Sequence, residues 1–142
     1  DRARQAFLTN AFASLAQDIL AWSIATQTYK AILVTVANGY SASLSADQFL
    51  SSIPAANRHA TSAVFTGRNA DYGVADAADV LVTAVPVSAS TVGAIVIFQS
   101  LNLEVTSRLV AWMDTGTGMP FTPNGGDVTI VWSDGANRIF RI

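Results

Sequence analysis

Val92-Gly93-Ala94-Ile95-Val96-Ile97-Phe98 is apolar at almost every position. In an extended chain successive side chains point to opposite sides. A strand with one wet face alternates apolar and polar residues, whereas one covered on both sides reads as a continuous apolar run. This stretch is therefore expected to be a strand buried on both faces. At seven residues it falls far short of the roughly 18 or more that a membrane-spanning helix needs, and so does the run at residues 31–37.

Working outward, strand-like segments recur on either side. Residues 29–36 are rich in β-branched and aromatic types. Residues 58–66 alternate, with His59, Thr61, Ala63 and Phe65 opposing Ala60, Ser62 and Val64. Residues 80–85 form another strand, closed by Pro86, and residues 108–113 and 128–132 follow. The segments 128–132 and 138–142 flank Ser133-Asp134-Gly135-Ala136-Asn137, where Asp-Gly would supply the positive φ of a short turn. A C-terminal hairpin is expected, with Phe140 and Ile142 turned to the core and Arg141 to water.

Two segments read as helical. Residues 45–53 predict a short helix capped by Ser45 and ended by Pro54. Residues 2–21 place Phe7, Ala11, Leu15 and Ile19 on one line, with Leu8, Phe12 and Leu20 beside it. Such a stripe is expected to pack on the sheet. The fold class that results is mainly β: a single domain over residues 1–142, built as an antiparallel β-sandwich or barrel-like domain of about seven strands (28–142) with an N-terminal helix (1–21).

Composition narrows the function. A chain of 142 residues and 14.9 kDa can bury a core without staples, and it has no cysteine for disulfides, thiolate metal sites or a thiol nucleophile. The net charge of −2 lacks the basic face a nucleic-acid binder needs, so no nucleic-acid partner is expected. No membrane partner is expected either, and no signal peptide is read at the start. The chain opens on Asp1 rather than Met, which reads as processing or trimming.

Only 13% of residues are charged, about half the roughly 25% of an average soluble domain. Lys30 is the only lysine and Glu104 the only glutamate. With a mean hydropathy of +0.37, much of the surface must be small and uncharged. Such a surface costs little to desolvate, and interface cores are depleted in charge in the same way. A homo-oligomer or a larger assembly is the expectation.

Catalytic constellations fail one after another. His59 is the only histidine, no G-x-S-x-G elbow surrounds a serine, and one histidine without cysteine nearly excludes a zinc site. Asp114, Asp127 and Asp134 lie near strand ends, and a hydrolase pair of Asp114 with Asp127 is the weakest reading because each has turn-forming neighbours. Asp71, Asp76 and Asp79 around Gly73 resemble an oxygen-rich calcium loop, but without the spacing or terminal glutamate of an EF-hand. Thr115-Gly116-Thr117-Gly118 lacks the G-K-[ST] ending of a phosphate loop, and Met119-Pro120-Phe121-Thr122-Pro123 prevents a following helix. No enzyme and no cofactor are expected. Trp112 and Trp132 read as core, and the candidate interface residues are Phe7, Trp22, Met119 and Phe121.

The C-terminal third carries a resemblance. Thr106-Ser107-Arg108-Leu109-Val110-Ala111-Trp112-Met113-Asp114-Thr115, Gly118-Met119-Pro120, Thr122-Pro123-Asn124-Gly125-Gly126-Asp127-Val128-Thr129-Ile130, and Trp132 with Gly135-Ala136-Asn137-Arg138-Ile139-Phe140 together resemble a family of small accessory virion structural proteins of tailed bacteriophages. Ile53-Pro54-Ala55, Arg58 with Ala60-Thr61-Ser62, residues 71–80 and Ala94-Ile95-Val96-Ile97 are similar to the same family, as is Ala6-Phe7-Leu8-Thr9, while residues 10–26 depart from it. The resemblance implies a virion location, other virion proteins as partners, and a non-enzymatic accessory role in the head, neck or fibre assembly. It transfers no catalytic residue. The alternative is a host-surface or glycan-binding adhesion module on a fibre, working through Trp22 or Phe121.

Overall fold

The apolar run that decides the reading is the centre of the fold. The structure, a computed structural model, describes Trp22 and residues 25–43, 45–136 and 138–141. In it β5 (Val92–Gln99) lies between β1 (Tyr29–Thr35) and β6 (Leu109–Met113) in a four-stranded antiparallel sheet, with β2 (Arg58–Thr61) beyond β1. Both faces are covered. Tyr29, Ala31, Leu33, Ile95, Ile97 and Ala111 face one apolar cluster; Ile32, Val34, Ala94, Val96, Phe98 and Trp112 face another. Gly93 leaves room for the side chain of Val36, just past β1, since a Cβ there would stand 2.7 Å from a Val36 methyl.

The two clusters are capped differently. On the outer face Tyr40, Ala42, Leu50 and Ile53 of the 37–57 segment pack over β1 and β5. Asn57, 3% exposed, staples that segment by donating from its amide to the carbonyls of Thr35 and Ala37. On the inner face lie two short ribbons: β3 (Val74–Ala75) with β8 (Phe140–Arg141), and β4 (Val80–Val82) with β7 (Val128–Ile130). Trp22 sits between the layers, 1% exposed, its ring 4.7 Å from that of Tyr29, 5.9 Å from Phe65 and 5.6 Å from Phe140. Its indole N–H donates to Asp76 O, as a buried tryptophan requires.

One strand serves both layers. Beyond Thr61 the chain stays beside β1, with Ser62 N–H donating to Ala31 O and Phe65 N–H to Tyr29 O, while Ala63 N–H reaches the other way to Leu81 O in β4. The sheet therefore rolls in the order β6, β5, β1, residues 58–65, β4, β7. Among the described residues no ladder joins β7 back to β6. The mainly β, antiparallel expectation is met; a closed barrel is not formed.

Several local expectations are corrected. The C-terminal hairpin does not form, because Val128 and Ile130 pair with Val82 and Val80, and Phe140 pairs with Ala75. Asp79 accepts the Trp132 N–H and Ser133 Oγ the Gly135 N–H, which turns the chain away, and the positive φ falls at Arg138 (46°) rather than Gly135. Ile139 is buried along with Phe140, and Arg141 is exposed. The expected helix at 45–53 is a turn followed by a single 3-10 turn, Leu50–Ser52. Backbone bonds from Leu109 N–H to Gln48 O and from Leu50 N–H to Ser107 O draw this segment along the β6 edge and prevail over helix propensity. The strand expected through residue 66 ends at Thr61, and the alternation continues only to Ala63: Val64 is exposed like Ala63 before Phe65 turns inward. β4 stops at Val82 rather than Val85, because Ala84 takes a positive φ of 47° with its N–H held by Asp127. The N-terminal helix and Phe7 lie outside the described residues. Among the described residues no helix is long and apolar enough to cross a membrane.

Candidate functional site

The gap between β6 and β7 follows from how the chain leaves β6. After Met113 the backbone departs from the β5 edge, and it returns at Phe121, whose N–H and C=O exchange bonds with Val92 (3.2 and 2.8 Å). Residues 114–120 are thus an excursion from the β6 line. The chain then crosses to the other layer, with Val85 N–H donating to Gly126 O. Gly125 makes that crossing at φ 91°, with Val87 3.3 Å from where a Cβ would be, a conformation and spacing suited to glycine.

Between these segments lies an open cleft of about 800 Å³. Its floor is apolar: Ile95, Met113, Phe121, Ile130 and Trp132 line it. One wall is the continuous run 127–133; the other is the excursion, from Thr115 to Met119. Volume and lining fall in the range typical of binding sites, about 300–1,000 Å³ and mostly apolar with a few polar groups. Two charged residues border it. Asp127 accepts the Ala84 N–H at 2.7 Å, and Arg138 is paired with Asp134 and Asp76 at 3.2 and 3.5 Å. Trp132 is 7% exposed, and its indole N–H has no acceptor among the described residues.

The candidate interface residues separate here. Met119 and Phe121, both half-buried, meet in this cleft. Trp22 is a core residue and offers no exposed ring. Sequence reasoning missed Ile95, Met113 and Thr129, because a strand pattern does not show that β6 and β7 leave a gap between them. All three tryptophans are buried, as core packing requires.

Most of the remaining chemistry-bearing residues are engaged in structure. Asp114 is exposed and does not line the cleft, so it does not meet Asp127 there. Asp76 accepts the Ala77 N–H and Asp79 the Trp132 N–H; no cluster of three or more metal-ligating side chains occurs among the described residues. His59, on β2, donates from Nε2 to Pro86 O at 2.6 Å. Arg58 bonds Glu104 at 2.7 Å, and that hydrogen bond holds the Glu104 carboxyl below its ordinary pKa. Burial first, and Asp47 second, push the Tyr40 phenol up to about 12.

Compared with known proteins, the chain matches no family model and no curated relative.

Proposed function

We propose that this chain is a non-enzymatic structural component of a tailed-phage virion, an accessory part of the head, neck or fibre assembly that works as an oligomer through contacts with neighbouring virion proteins. The family resemblance supplies the class. The observation that carries the contact function is the loop between β5 and β6. Leu101, Leu103 and Val105 are 45%, 59% and 61% exposed there.

This apolar loop is held rigidly. Ser107, 1% exposed, accepts the Leu101 N–H and donates to Leu103 O, Thr106 and Ser107 N–H donate to Leu103 O, and Arg58 pairs with Glu104. Ordering before binding lowers the entropy cost of association, so an exposed but preordered apolar loop suits a contact surface. The adhesion reading works through Trp22 or Phe121; Trp22 is buried, which leaves only the half-buried Phe121 to support it.

The test is sedimentation of the purified chain with phage particles, alongside light scattering of the chain alone. The chain is expected to associate in both. Leu103→Asp should weaken association about tenfold or more, as interface hot spots do, without unfolding the chain. A strictly monomeric chain that ignores particles would overturn the proposal.

A further inference from the structure

The wall of the cleft formed by β7 is a strand edge that no other described strand pairs. Leu81 O is engaged away from β7, by Ala63 N–H. In an antiparallel ladder the bonding direction alternates along each strand, so the pairs that exchange bonds are Val80 with Ile130 and Val82 with Val128. On the β7 side Gly126 O keeps this phase by accepting Val85 N–H, while the partner strand shifts by one residue at Ala84, where φ is 47°. Asp127, Thr129 and Val131 therefore point their N–H and C=O groups the other way. These three residues line the cleft, and outside the β4–β7 ladder no backbone bond joins them to another described residue.

An edge of this kind is a template for another strand. Proteins usually blunt such edges with lysine, proline or a bulge; Val128-Thr129-Ile130-Val131 carries none of these. A segment added here would lie in the gap that keeps the roll open. Its alternate side chains would meet the floor of Ile95, Met113 and Phe121, and the others would face out beside Thr129 and Val131, the latter 70% exposed.

We infer that the cleft is a strand-acceptor site, which takes an extended, uncharged segment of about five residues from a different protein and adds it to β7. Five residues match the run from 127 to 131, about 16 Å of strand. Charge selects the donor. The middle of the wall is neutral, Arg138 is already paired with two aspartates, and Asp127 remains as the acidic group at one end. A basic residue flanking the segment complements it. A second copy of this chain, with its net charge of −2, is a poorer match than a basic neighbour. The inference rests on the assembly reading only in taking the donor to be a protein neighbour.

The test is selection of random seven-residue peptides, displayed on an unrelated carrier, against the full chain. Selected peptides should alternate apolar residues, carry a basic residue at one end, and shift the tryptophan fluorescence through Trp132. Thr129→Pro deletes an N–H that no described residue uses, so it should leave the melting temperature within a few degrees and weaken the peptides at least tenfold. N-methylation of every second peptide amide on the unaltered chain gives the same expected loss without any protein variant. Failure to select binders, or binders indifferent to N-methylation, overturns the inference. So does self-association of the chain that Thr129→Pro abolishes, which would make a second copy the occupant. Failed selection alongside retained particle binding would remove this contact and leave the assembly reading standing.

Discussion

Asn57 and Tyr40 sit in the same covering segment and show opposite uses of a buried polar group. Asn57 satisfies two carbonyls at the end of β1, both at 2.9 Å. Leaving those acceptors unpaired costs roughly 1–3 kcal/mol, so Asn57→Ala should lower the unfolding free energy by about that amount in urea titrations. The Tyr40 hydroxyl is buried without a partner among the described residues. Removing it leaves nothing unsatisfied, so Tyr40→Phe should be neutral or stabilising by up to about 1 kcal/mol near pH 8. The pH dependence has a definite sign. Burial, helped by Asp47, raises this phenol to about 12, above its ordinary value of about 10, so the unfolded chain ionises first. Ionisation of the unfolded chain therefore lowers stability as the pH rises from 10 towards 12, with no such effect below pH 10. Tyr40→Phe should flatten that alkaline limb in denaturation curves at pH 8 and pH 11.

At the scale of elements, the segment 92–98 was legible because its own residues record burial on both faces. The C-terminal hairpin was not. Alternation and an Asp-Gly pair state that two strands are near a turn, but not which strand each will pair with. That choice was made by distant residues: Asp79 took the Trp132 N–H, and Val80 and Val82 supplied the inward partners of Ile130 and Val128. The 45–53 segment was misread for the same reason, since the acceptor that straightens it, Ser107 O, lies far along the chain. The 121–127 crossing depends on one backbone conformation. Gly125→Ala should destabilise the chain by about 1–3 kcal/mol, through φ 91° and the nearby Val87, with the largest loss of amide protection at Val85 and Phe121.

For the whole molecule, low charge and an apolar composition suggest a surface suited to contact, and the structure has exposed apolar residues on the 101–106 loop and at Val131, just past β7. Met119 and Phe121 were readable as a loop pair rich in Pro and Gly. Their cleft was not, because it is the gap left by a roll that fails to close, a property of no single segment. Trp22 reads the same in sequence whether it is core or contact, and only its packing against Tyr29, Phe65 and Phe140 decides. As a core aromatic, Trp22→Ala should cost about 3–5 kcal/mol and act on stability before it acts on any partner.

The central claim is that this chain works as a part of a particle. Mass spectrometry of particles purified from a tailed phage whose genome encodes it tests that directly. The account predicts the chain in intact particles at many copies each, retained through gradient purification. Its absence from purified particles, with the chain found only in the lysate, would contradict it.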